Sequence, residues 1–159
     1  MRVHLRSYFI LLAVSLFLST ACKTFEVKNV NYGQQIESVL SPNAKGEVHD
    51  SRYSLTFNIL PFQFQETQDS SAVTVDEVRL IRNNAGLYFI TADGFSNVYV
   101  MEPIKNGLKL KKKIQVSEQG LIAPAFNMRN PYIELVDKET AQTFSLNEKG
   151  IQNKPEANS

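Results

Sequence analysis

Cysteine and histidine are nearly absent from this 159-residue chain, which has one cysteine, Cys22, and two histidines, His4 and His49. A single thiol builds neither a disulfide framework nor a dithiol redox pair. A lone histidine such as His49 cannot hold zinc without partners of the right type. It also leaves little material for histidine-dependent acid–base chemistry. No metal site and no cofactor is therefore expected, and His49 is placed in an exposed loop. Charge of one sign is lacking too: 17 basic residues stand against 16 acidic, a formal net charge of +1. That balance leaves no electrostatic footprint for nucleic acid.

Motifs are equally sparse. The chain has no Gly-x-Ser-x-Gly elbow, no Gly-x-Gly-x-x-Gly and no phosphate-binding loop. Asp76, Glu77 and Asp93 are scattered along the sequence, and spacing alone selects no catalytic pair, so no catalytic residue is assigned. A hydrolase working through carboxylates alone stays as the enzymatic alternative. There is no internal repeat, and a propeller of at least four blades of about 40 residues would not fit the length.

What is present begins at the amino terminus. Arg2 and Arg6 precede an apolar stretch from Tyr8 to Leu18, 11 residues long, and the small residues Ser19-Thr20-Ala21 follow it. Those are the three parts of a secretory signal. The run is too short to span a bilayer as a helix, which takes about 20 residues, and polar Lys23 and Thr24 follow closely.

Cys22 directly follows the small residues, and the segment 1–22 resembles the lipobox signal peptide of bacterial lipoproteins. The family favours Leu three residues before the cysteine; here Ser19 stands there, with Leu18 one place further out. The resemblance implies cleavage between Ala21 and Cys22, removal of residues 1–21, and lipidation of Cys22. Each buried methylene contributes about 0.8 kcal/mol, and two acyl chains suffice for stable anchoring. In Gram-negative lipoproteins of this kind Asp after the cysteine favours the inner membrane. Lys23 in that place implies the outer membrane. Removing Arg2 and Arg6 from the 17 basic residues leaves 15 against 16 acidic ones, so the mature chain stays close to neutral. The rest of the chain resembles no family by its motifs.

Residues 23–32 are expected to tether the lipidated cysteine to one β-rich domain over 33–151, with a frayed polar tail at 152–159. Residues 33–40 fit a short strand or a helical turn, and Ser41 to Asp50, with Pro42, Asn43 and Gly46, reads as a loop. Tyr53, Leu55, Phe57 and Ile59 alternate with polar residues, the period of a half-buried strand. Pro61 interrupts that period and suggests an edge or a bulge, with Phe62 and Phe64 resuming on a shifted phase. Gln65 to Ala72 reads as a polar connection. Val73 to Leu80 and Leu87 to Thr91 form further strands, separated by a turn at Asn83–Gly86; Asp93-Gly94 marks another turn.

Asn106-Gly107 suits a two-residue type I′ hairpin, which sets Lys105 opposite Leu108 and Glu102 opposite Lys111. Tyr99, Met101, Pro103, Leu108, Leu110, Ile114 and Val116 then share a buried face. Lys109, Lys111 and Lys113 line a wet one, and Lys112 falls among the apolar positions, which hints at a bulge. A loop at Asp137–Thr140 sets Ile133 opposite Phe144. No segment keeps a helical period over three turns. The expected fold is mainly β, a single small antiparallel sandwich, with a barrel as the alternative.

Two features are candidates for partner contact. Lys109, Lys111 and Lys113 make either an anion-binding patch or a solvated, aggregation-resistant edge, and the edge is favoured. Phe95, just past a turn, is either an interface anchor or core, and core is favoured. The expected function is that of a lipid-anchored, non-enzymatic envelope protein whose partners are the membrane, through Cys22, and an envelope protein. A membrane-displayed ligand-binding module or enzyme inhibitor is the alternative.

Overall fold

The computed structural model describes residues 35–105 and 107–152. Strands β1 (Ser38–Leu40), β2 (Glu47–Asp50) and β3 (Leu55–Asn58) lead into one short helix, α1 (Leu60–Thr67). Eight strands follow: β4 (Val78–Arg82), β5 (Tyr88–Ala92), β6 (Asn97–Ile104), β7 (Gly107–Gln115), β8 (Pro124–Arg129), β9 (Tyr132–Asp137), β10 (Thr143–Asn147) and β11 (Gly150–Gln152). They form a five-stranded sheet in the order β1-β4-β5-β6-β7, a four-stranded sheet in the order β11-β10-β9-β8, and the hairpin β2-β3. Every pairing is antiparallel, and neither large sheet closes into a barrel. The fold is mainly β, as expected, and consistent with a small sandwich.

The five-stranded sheet is covered on both faces. On one face Ile81, Leu87, Phe89, Val98, Val100 and Ile114 pack with Phe126, Ile133, Leu135 and Leu146 of the four-stranded sheet. On the other, Leu80, Tyr88, Ile90, Tyr99 and Met101 pack beneath Val48, Phe57, Ile59 and Phe62 of the β2-β3 hairpin and α1. All five residues of β5 are buried, because a strand between two cores needs apolar side chains on both sides. That is why Leu87-Tyr88-Phe89-Ile90-Thr91 is so dense.

Four expectations need correcting. Pro61 does not mark an edge or a bulge; it lies in the first turn of α1, where its missing N–H costs nothing. Asn58 Oδ1 accepts the Leu60 amide at 2.8 Å, and the helix ends at Gln68, in the left-handed conformation, after two turns, too short for a period of three turns to show. Ser41 to Asp50 is not all loop, since Glu47–Asp50 pair with β3. Val73 and Val75 precede β4 rather than belonging to it; Val75 is nonetheless buried. Strand β11 carries the domain through Gln152, which was expected to open the tail; residues 153–159 lie outside the described residues.

Both predicted hairpins form, with the register slipped by two residues in β9-β10 and in the outer part of β6-β7. Strands β6 and β7 pair Ile104 with Gly107 and Glu102 with Lys109, and β9 and β10 pair Leu135 with Phe144 and Ile133 with Leu146. A slip of two keeps every side chain on its face, whereas a slip of one would reverse them all. A β-bulge shifts the β6-β7 register between Val100 and Met101, leaving Lys111 as the extra residue. Beyond it Ile114 joins Val98 on the face opposite Leu110, so the expected single apolar face is divided.

Gly120 closes the loop after β7. The amides of Gly94 and Leu121 donate to the carbonyls of Leu121 and Phe95, drawing two turns together. At φ +91° a Cβ on residue 120 would lie 2.7 Å from the Gly94 carbonyl oxygen. Only glycine fits there.

Candidate functional site

The far end of the β6-β7 hairpin extends past the body of the sheet, with Glu102 to Ile104 exposed and Gly107 and Leu108 half-buried. Beside it, α1 and β3 rise over one face. Between them lies a groove of about 600 Å³, lined by Phe57, Pro61, Phe62, Tyr99, Met101, Leu108 and Leu110, with Thr56, Asn58, Gln65 and Gly107 at its polar margins. Its volume falls within the range of small-molecule and anchor-residue pockets. Leu110 is 50% exposed, so the groove opens to solvent along β7.

Its helical wall is held in place by hydrogen bonds. Glu66, on the last turn of α1, accepts from the Ser96 amide at 2.8 Å, the Asn97 side-chain amide at 2.9 Å and the Tyr99 hydroxyl at 2.5 Å. Burial pushes the Tyr99 hydroxyl well above the ordinary tyrosine range, and the bond to Glu66 adds to the shift. Gln63 is 1% exposed. Its amide donates to the carbonyls of Asp69 and Ala72 and accepts the Thr74 amide at 2.9 Å. Every polar atom of this buried side chain is thereby satisfied, and the connection from α1 to β4 is tied down. Phe62 completes the wall, meeting Phe57 and Tyr99 edge to face at 5.9 and 5.0 Å.

The predicted contact residues separate. Phe95 is 3% exposed and packs edge to face with Tyr99. It is core, the favoured of the two readings, with the Gly94–Leu121 contacts joining its turn to the loop after β7. Lys109, Lys111 and Lys113 are exposed on the edge strand, but the bulge keeps them from sharing one face. Lys109 sits opposite Glu102, while Lys113 sits opposite Tyr99 on the groove side. Ala21 and Cys22 lie outside the described residues.

Other polar clusters serve the fold. Asp76, Glu77 and Asp93 do come together, lining one depression with Arg79 and Ala123. Glu77 pairs with Arg79 at 2.7 Å, and Asp93 accepts the Ala123 amide at 3.0 Å, which commits two of the three carboxylates. Glu37 bridges the sheets, accepting the Phe126 amide at 2.7 Å and facing Arg79 at 3.5 Å. Burial raises its carboxyl above the usual range in spite of both partners. His49 is exposed as expected but lies on β2, not in a loop, with Nδ1 3.0 Å from Thr56 Oγ1. Among the described residues no group of three His, Cys, Asp or Glu side chains is arranged to hold a metal. No described helix is long and apolar enough to cross a membrane.

Half of the groove was visible beforehand: Tyr99, Met101, Leu108 and Leu110 share one face of the predicted hairpin. Phe57 on β3 and Phe62 on α1 reach it from some forty residues away, and nothing local announces that approach. No protein-family model, no curated protein and no solved structure matches this chain.

Proposed function

We propose that this is a lipid-anchored protein of the bacterial cell envelope, with a non-enzymatic β-domain that binds a protein partner through the groove between α1 and β7. The observation that carries the partner reading is the groove itself: an apolar recess with a rigid wall and a half-exposed Leu110 on its rim. Contiguous exposed apolar surface rimmed by polar residues marks interaction sites on soluble domains. The anchor rests on the order of Arg2, Arg6, the Tyr8–Leu18 stretch, Ser19-Thr20-Ala21 and Cys22, with Lys23 favouring the outer membrane.

Two measurements test the two halves. Cys22→Ala should abolish incorporation of labelled fatty acid and release the protein from the membrane fraction; continued labelling would overturn the anchor. A photo-crosslinking residue at Leu110 should yield a discrete adduct in cells that the same residue at Gln142, in the β9-β10 loop, does not. Equal crosslinking at both positions would remove the groove as the partner site.

A further inference from the structure

The edge strand beside the groove concentrates charge. Lys105, Lys109, Lys111, Lys112 and Lys113 account for five of the 17 basic residues, and Glu102 is the one acidic residue from Asn97 to Ser117. All five lysines are exposed, in a chain whose charges as a whole nearly cancel. As β7 is the sheet's outer strand, its lysines project on both faces, with Lys113 on the groove side and Lys109 and Lys112 on the other. A segment lying along this edge meets ammonium groups over its whole length and an apolar recess on one flank.

We infer that the groove, resting on its being a partner site, docks an acidic peptide segment of the partner: large apolar side chains enter between Phe62 and Leu110, and flanking carboxylates pair with the β7 lysines. The apolar recess supplies the anchor and the lysines supply register and steering, the usual division between the core and rim of an interface. A membrane surface fits less well. The floor is recessed, and the exposed apolar residues of the hairpin do not form one plane. Ile104 pairs with Gly107 and Leu110 with Met101, which puts them on opposite faces.

The test uses the full-length chain in detergent micelles to select peptides from a random 12-residue display library, with binding of the synthesised winners followed by fluorescence anisotropy. The selected peptides should combine Asp or Glu with Leu, Phe or Trp. Their affinity should fall about tenfold or more in Leu110→Asp and in the triple variant Lys109→Glu, Lys111→Glu, Lys113→Glu, and it should weaken with salt. All four positions are exposed, so folding of the variants is checked by an unchanged circular dichroism spectrum. Binding lost in Leu110→Asp but intact after charge reversal overturns the acidic chemistry and leaves the groove as a partner site. Binding insensitive to both changes, or no enrichment at all, overturns the partner site as well. Lysine-dependent capture by phosphatidylglycerol vesicles, in the absence of any enriched peptide, would assign the surface to a membrane.

Discussion

The hydroxyl of Tyr99 donates to Glu66 from within the core beneath α1, and burial makes its ionised form costly. Since its folded pKa is raised, the stability it contributes is complete below the ordinary tyrosine value of about 10 and is lost as pH rises beyond it. Spectrophotometric titration of the folded protein between about pH 9 and about pH 11 should therefore give the same curve for wild type and Tyr99→Phe. Loss of one titrating phenol in the variant would show that the hydroxyl is solvated. The same substitution should lower stability by about 1.5 kcal/mol, the scale of a hydrogen bond to a charged group, read as a shift in denaturant midpoint. Phe95 teaches the complementary lesson at this scale. Core was the favoured reading of this phenylalanine beside an Asp-Gly turn, but the second loop, 116–121, that bonds to Phe95 and Ser96 has no trace in the local sequence.

Among the elements, strands were easier to read than caps and turns. Period two survives a slip of two, so the faces of β9, β10 and the outer half of β6-β7 were legible although both registers were displaced. The bulge at Lys111 was hinted at by Lys112 but not locatable, since three consecutive lysines carry no pattern. Helix α1 was missed because two turns begun by a proline and carrying Phe62 and Phe64 resemble an interrupted strand. The β9-β10 connection shows why its register moved: Asp137 accepts the amides of Ile122, Glu139 and Thr140 at 3.1, 3.2 and 3.3 Å, so it ends β9 and organises the loop. Its burial works to raise the pKa, but these three donors outweigh it and hold the carboxyl below the usual value. A depressed pKa contributes stability above the ordinary aspartate value of about 3.9 that is lost as pH falls through the folded value. Asp137→Asn should thus cost about 2 kcal/mol at neutral pH. The gap to wild type should close as pH drops below about 4, followed by urea unfolding at several pH values. A gap independent of pH would mean that charge plays no part.

At the scale of the molecule, one sheet serves two cores. Phe89 faces the four-stranded sheet, and Ile90 faces the hairpin and helix. Removing either side chain should cost about 3 kcal/mol or more, as large-to-small core changes do. Because β5 belongs to both cores, Phe89→Ala should weaken them together. Tyrosine fluorescence, to which Tyr53, Tyr88 and Tyr99 of the hairpin-and-helix core contribute, and far-ultraviolet circular dichroism should follow one coincident transition. Separate midpoints would show that the two cores unfold independently. The three-layer arrangement was only partly legible. The strand at Leu87–Thr91 was legible, but its burial on both sides was not, because part of what covers the second face lay in the misread segment from Pro61 to Thr67.

The edges of the two sheets are guarded by different means. On β8, the outer strand of the four-stranded sheet, the Phe126 amide that points away from β9 is occupied by the Glu37 carboxylate. Pro124, two residues earlier on the same side of the strand, has no amide to offer. A neighbouring chain seeking to extend the sheet there finds its first two hydrogen-bonding positions closed. On β7 the deterrent is charge alone, and charge yields to a partner of opposite sign. One edge closes its leading positions to any strand, whatever its charge; the other discriminates by charge, turning away cationic strands more than acidic ones.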